Sequence, residues 1–258
     1  MPNKTVINYN EILNSNKCGP FKFIEGTECH KSNRLYVEAE FINTGYRKMV
    51  DYITAKKGLI QDPYAPLLCG VGCYGVPKRS YTKKELYCWQ DMIRRCYEDL
   101  ERHKAYYGKI TVCDRWKCFE YFLDDIIYLP GYNEWLIGRN NYHLDKDKLQ
   151  QNIPHDQRIY SPQTCVFLSN EENNIIRIKE NNKSGVCGAE LTPDGSYCVR
   201  YNHQYLGRFD DPEAAATIHN FYCKINNTPQ LNDDTNMSVY DALKHRKGKK
   251  TIIAITKI

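Results

Sequence analysis

The residues whose types suit chemistry gather between Tyr142 and Asn174. Tyr142-His-Leu-Asp-Lys-Asp147 reads as a short strand, and in a strand alternate side chains share a side. His143, Asp145 and Asp147 therefore face together, an imidazole beside two carboxylates. An imidazole titrates near neutral pH and so can move protons. Oxygen and nitrogen donors of this kind suit a hard or borderline divalent cation. A polar loop from Gln150 to Gln157 carries a second imidazole, His155. A second strand, Thr164-Cys-Val-Phe-Leu168, follows the turn at Ser161-Pro162. Ser169 and Glu172 have the spacing of a capping box, which opens a helix through Asn173, Asn174, Ile175 and Ile178. Strand, loop, strand, helix is an arrangement that many metal-dependent nucleases use. A bland reading stands beside it: Asp147 is also placed to pair with Lys146, Lys148 or Arg158, and both histidines fit solvated edges.

The twelve cysteines are the other reactive group. Their close spacings, Cys69–Cys73, Cys113–Cys118 and the Cys29-His30 neighbours, include no C-x-x-C pair, whereas zinc ribbons use two such knuckles. Cys96, Cys165 and Cys198 sit among packing residues, where Cys behaves as a small hydrophobe. Structural zinc is therefore not expected, and in a reducing compartment the cysteines are thiols.

The elements that position these groups follow from pattern. With 258 residues, 41% apolar and 26% charged, the chain has ordinary globular composition and room for two or three small domains. Arg34-Leu-Tyr-Val-Glu-Ala-Glu-Phe41 alternates as a half-buried strand, with turns at Thr44-Gly45-Tyr46 and Asp62-Pro63-Tyr64. The run from Gly70 to Gly75 follows no clear strand and is not read as a phosphate loop. From Tyr81 the period becomes helical, with Tyr87, Trp89, Met92, Cys96, Tyr97 and Leu100 on the apolar side and Arg94 and Arg95 on the flank. A strand over Ile110–Cys113 follows, and Asp114 is the expected N-cap of a second helix carrying Trp116, Phe119, Phe122 and Leu123. Pro130-Gly131 closes it. Beyond Ser184 come three short strands, with turns at Pro193-Asp194-Gly195 and Asn202-His203-Gln204, and a helix opening at Asp211-Pro212. The fold class is α+β, in several modules.

Charge and composition narrow the partners. The net charge is +5, so nucleic-acid binding has to be argued from where the charge sits. Tyr is over-used, at 21 residues, and its ring stacks on bases as readily as it packs. No stretch nears the roughly 20 apolar residues of a membrane span, and Met1-Pro-Asn-Lys-Thr is not the start of a secretory leader. The expectation is a cytoplasmic protein with no membrane partner.

Residues 87–174 resemble the phage HNH endonucleases. The motifs are Trp89–Met92–Arg95–Cys96–Tyr97, Tyr106-Tyr107-Gly108, Ile110–Val112–Cys113–Trp116–Phe119, Leu144-Asp-Lys-Asp147, Tyr160-Ser161-Pro162–Thr164-Cys165–Phe167, and Asn173. Residues 184–227 resemble the ethylene-response-factor domain of plant regulators and phage homing endonucleases, through Gly185-Val186, Gly195–Tyr197–Val199-Arg200, Leu206-Gly207–Phe209-Asp210 and Glu213-Ala214-Ala215. Residue pattern gives an N-terminal β-rich domain over 1–78 and a basic tail over 231–258, and the two resemblances imply an HNH-like ββα domain over 79–180 and an ethylene-response-factor-like domain over 181–230 between them.

What they imply about function is a double-stranded-DNA-binding homing endonuclease of a phage-infected bacterial host. Its three-stranded sheet would lie in the major groove, with Tyr197, Arg200, Asn202 and Arg208 toward the DNA. One divalent ion, Mg²⁺ or Mn²⁺, would be held by Asp145 and Asn173, with Asp147 as a further ligand. The family's general base follows the Asp, and here that position is Lys146. A lysine accepts a proton only where burial lowers its pKa, so His143 or His155 would have to serve instead. Arg94, Arg95, Arg115 and Lys117 would neutralise phosphates; their alternative is a solvated helix face. Two other readings keep the scaffold: a catalytically silent DNA-binding repressor or interference factor, favoured by Lys146, and a protein-binding inhibitor. Oligomeric state is left open.

Overall fold

The computed structural model describes residues 6–138, 141–174 and 182–248, and the chain divides into two compact units, 1–167 and 168–258. It is a mixed helix-and-sheet protein. Ile175 and Ile178 of the expected helix, and Lys249 and Lys250 of the basic tail run, lie outside the described residues.

The first unit opens with a five-stranded antiparallel sheet. Its strands are β1 (Leu13–Ser15), β2 (Gly19–Phe23), β3 (Cys29–Lys31), β4 (Arg34–Phe41) and β5 (Arg47–Asp51). β4 holds the sheet together, pairing with β2, β3 and β5. Its alternation buries Val37, Ala39 and Phe41 against Phe21, Phe23 and Ala55, the last on the short helix α1 (Tyr52–Lys56).

A second cluster surrounds α2 (Lys83–Tyr97). Thr82 and Glu85 form a reciprocal capping box at its start, and Glu85 also accepts from Tyr132 Oη at 2.7 Å. Trp89, Met92, Ile93 and Cys96 share the buried face. Tyr87, expected on that face, is 60% exposed, because it lies two residues from Trp89 and so points about 200° away. Leu100 falls beyond the helix end. The Trp89 indole N–H donates to the Trp116 carbonyl at 2.8 Å, so the ring is both packed and satisfied.

The helix expected from Asp114 is broken in two. Residues Asp114–Lys117 form a 3₁₀ turn, and α3 (Phe119–Ile126) starts only after Cys118. The cause is tertiary: Cys118 is extended and bridges Cys73 in parallel, which interrupts the helical path. Gly131 then takes a left-handed φ of +78° ahead of α4 (Tyr132–Leu136). A Cβ there would meet the Phe167 carbonyl oxygen at 2.2 Å, so only glycine fits without movement.

β6 (Thr111–Val112) pairs in parallel with β8 (Ile159–Tyr160), and β7 (His143–Asp145) pairs with β9 (Val166–Leu168). Two 3₁₀ turns, Lys148–Gln150 and His155–Gln157, fill the loop between β7 and β8. Tyr160, Cys165 and Phe167 join the same core as Trp89 and Trp135.

The second unit begins with the Ser169 box. Glu172 N–H donates to Ser169 Oγ at 3.2 Å, and Ser169 N–H donates to Glu172 Oε2 at 3.0 Å. The helix it opens, α5, is described over 170–174. β10 (Ala189–Leu191), β11 (Tyr197–Tyr201) and β12 (Gln204–Phe209) form an antiparallel sheet on α6 (Pro212–Ile225), which Asp211 caps. A short helix, α7 (Val239–Lys244), packs against α6, and Val199, Leu206, Phe209, Ile218 and Tyr222 form the core.

Candidate functional site

The strand-proximal acidic segment is built into the scaffold. Asp145 Oδ1 accepts from the backbone N–H of Asp147 at 2.9 Å and of Lys148 at 2.8 Å, turning the chain out of β7. Burial pushes the Asp145 carboxyl above its ordinary range, and the N–H donors oppose this only in part. Lys146 is 1% exposed, and its Nζ donates to Asp147 Oδ1 at 2.7 Å. The same nitrogen lies 4.8 Å from the centroid of the Tyr106 ring and 5.7 Å from that of Tyr160.

Arg158, also buried, donates to that same Asp147 oxygen at 2.8 Å. Burial raises the Asp147 carboxyl, but Lys146 and Arg158 outweigh it and hold the group below the usual carboxylate range. Asp147, itself half-buried, thus joins two buried cations in a Lys–Asp–Arg triad. This is the pairing with Lys146 or Arg158 that the sequence left open for Asp147, and it buries Lys146 while Asp147 stays half-buried.

The two carboxylates expected to hold a divalent ion are already engaged within the fold. Asp147 is already shared by two cations, and Asp145 spends one oxygen on the backbone. Among the described residues no three His, Cys, Asp or Glu converge on one point. Asn173 belongs to the second unit, where its N–H donates to the Ser169 carbonyl at 3.0 Å. His155 is exposed in its 3₁₀ turn with its ring 6.3 Å from that of Tyr106.

His143 faces a different place. It is exposed on the rim of a cleft of about 410 Å³ between α2 and β7. Lys84, Asp91, Arg94 and Arg95 line the α2 side, and Trp135 and Tyr160 add aromatic surface. Three cations therefore face one carboxylate among the described lining residues. Arg95 pairs with Asp91 and lies 6.0 Å from the Tyr106 ring centroid. Lys84 donates to the Trp135 carbonyl and sits over that ring at 4.9 Å. Arg94 is exposed toward solvent.

Sequence reasoning named Arg94, Arg95 and His143 but not Lys84, Trp135 or Tyr160. The signal for Lys84 was available. Lys84, Tyr87, Cys88, Asp91, Arg94 and Arg95 recur at three- and four-residue steps, the polar counterpart of the apolar stripe. Arg115 and Lys117 do not join the cleft. Arg115 makes a two-pronged pair with Asp125, at 2.8 and 2.9 Å, and Lys117 binds Asp114 at 2.7 Å.

In the second unit, the sheet register decides which side chains face outward. Glu190, Cys198 and Arg208 are cross-strand neighbours, and Arg200 pairs across from Tyr205 after a register shift at Val199/Arg200. This row lies opposite Val199 and Phe209, which face α6. Arg200 binds Glu190 at 3.0 Å, and Arg208 binds Asp194, whose carboxyl is held far below its ordinary range chiefly by that pair. Tyr197, expected on the outer face, packs with the α6 core instead because it shares the parity of Val199. Asn202 and His203 both have positive φ, +45° and +65°, and form a two-residue hairpin turn that leaves Asn202 exposed at its tip.

Comparison of the chain with protein-family models, with curated proteins and with solved structures finds no match in any of the three.

Proposed function

We propose that this protein binds double-stranded DNA on a frame of the HNH kind and does so without hydrolysing it. The observation that carries this reading is the cleft beside α2, where Lys84, Arg94 and Arg95 face a single carboxylate, Asp91. Such an excess attracts phosphate and releases the counterions that surround a duplex. Tyr87, which is exposed, adds ring surface and a hydroxyl donor, and His143 adds an imidazole at the rim. The outer row of the C-terminal sheet, with Arg200 and Arg208, is the second contact surface of this reading, and a β-sheet fits the major groove. The Lys146–Asp147–Arg158 triad favours the silent form, since the position where the family keeps its base is a buried structural lysine.

A second reading, metal-dependent nicking, is favoured by His143, which is exposed beside Arg94 and Arg95. One experiment separates them. Supercoiled plasmid is incubated with the protein and Mg²⁺ or Mn²⁺, and duplex binding is measured in parallel. The expected outcome is binding with the plasmid intact. Nicking that disappears in Asp145→Ala and Asn173→Ala returns the nuclease. No affinity for duplex in any salt leaves the protein-inhibitor reading and ends both of the others.

A further inference from the structure

Cys73 and Cys118 come from segments far apart in sequence, yet they are direct partners in an isolated parallel bridge. Cys73 N–H donates to the Lys117 carbonyl at 2.9 Å, and Phe119 N–H donates to the Cys73 carbonyl at 2.9 Å. Residues opposed in this way sit roughly 5 Å apart at Cα with side chains on one side of the ladder, inside the span of about 4.4–6.8 Å that a disulfide bridges. Each thiol is the largest influence on the other's acidity, as expected of close neighbours. Gly75 presses the loop down on the pair, since a Cβ there would fall 2.8 Å from Cys118 Sγ. The other groups around them are Asp62, Tyr64 and Glu120. Both cysteines are free thiols, as are the other ten.

We propose that Cys73 and Cys118 form a reversible two-thiol oxidation site, with a hydroperoxide as oxidant, Cys118 as the attacking sulfur and Cys73 as the resolving one. The division of labour follows from how the two neighbouring thiols shift each other. Cys118 stands at the N-cap of α3, directly across the bridge from Cys73. The neighbouring Cys73 thiol chiefly brings Cys118 down to about 7 against the opposing effect of burial. Cys73 moves the other way, raised by its Cys118 neighbour and by partial burial. Cys118 is 6% exposed, so a small peroxide reaches it more readily than a bulky disulfide does.

In the first step the Cys118 thiolate attacks one peroxide oxygen, the O–O bond breaks, and the departing hydroxide takes a proton to leave as water. Cys118 is then a sulfenic acid. In the second step the Cys73 sulfur attacks Cys118 Sγ, its proton passes to the leaving hydroxyl, and a second water departs. Two thiols and one hydrogen peroxide give one disulfide and two waters. The bond ties the loop after Asp62 to the start of α3 and closes a covalent ring that contains α2. A ring of that size raises the unfolding midpoint by roughly 5–10 °C.

The test treats the reduced full chain with stoichiometric hydrogen peroxide, alkylates what remains, and maps peptides by mass spectrometry. The expected result is a Cys73–Cys118 link that forms before the other ten cysteines react and is lost on adding dithiothreitol. Cys73→Ser should stop at the sulfenic acid, trapped on Cys118 by dimedone. Oxidation spread evenly over the cysteines, or a different first link, overturns the proposal. Because the wild-type map is decisive alone, it holds even where a variant fails to fold.

Discussion

The α2 cleft and the C-terminal sheet both present basic side chains, but they balance them differently. In the cleft, Lys84, Arg94 and Arg95 face one carboxylate. On the sheet, Arg200 has Glu190 and Arg208 has Asp194, so the outer row is close to neutral. Net charge pulls on any polyanion at a distance, whereas an arginine held in place by its own carboxylate offers directed donors with little long-range attraction. Under the proposed function, the comparison implies a division of work in which the cleft would supply affinity without regard to sequence and the sheet would supply discrimination. A third set, Lys146 and Arg158 around Asp147, uses the same residue types, but there both cations are buried and share one carboxylate.

The largest effect tests that last contrast. Asp147→Ala leaves Lys146 and Arg158 buried without their shared partner and should cost about 3–5 kcal/mol in urea unfolding. Glu190→Ala removes an exposed carboxylate and should cost less than about 1 kcal/mol. Similar losses at both positions would erase the distinction between scaffold charges and surface charges.

The same triad sets an acid limit. Asp147 is held below its unfolded value, so its contribution is fully present above the ordinary carboxylate range. It is lost as pH falls through the depressed folded value. Asp145 is raised, so its share has the opposite sign: it favours the fold at low pH and is lost as pH rises through the folded value. Unfolding measured from pH 7 downward should therefore show an acid-side fall that Asp147→Asn removes. A fall that is unchanged in that variant assigns the acid limit to other carboxylates.

Smaller effects sharpen the binding half of the comparison. Arg94→Glu reverses an exposed charge in the cleft, and affinity for a random duplex should fall roughly tenfold at low salt. Glu190→Gln frees Arg200 and should strengthen the same binding only a few-fold, the expected scale for a screened surface charge. Arg200→Ala should change preference among duplex sequences more than it changes mean affinity.

Much of this architecture is legible in the chain. The alternation of Arg34–Phe41 matches β4 residue for residue, and the Ser169–Glu172 spacing forms the box it implies. Thr82 and Glu85 carry the same signature and give the true start of α2, one turn that the apolar period alone does not fix. Other features are set at long range. β8 is two residues long and exists because it meets β6, leaving no period to read. The break before α3 comes from the pairing of Cys118 with Cys73 across the fold, which no local preference announces. The burial of Lys146 is likewise invisible locally, since it depends on Tyr106, Tyr160 and Arg158 arriving around one carboxylate. Of the candidate site, the residue types were legible; which carboxylates were already committed was not.

The central claim, that the α2 cleft holds duplex phosphates, is tested most directly by fluorescence anisotropy of a labelled random duplex across a salt series. The wild type and Arg94→Glu would be compared, with matched thermal unfolding to show that both are folded. The account predicts a linear fall of log affinity with log salt, and a slope shallower by about 1 in Arg94→Glu as one phosphate contact is lost. A wild type without duplex affinity at low salt, or two proteins with the same slope and affinity, would contradict it.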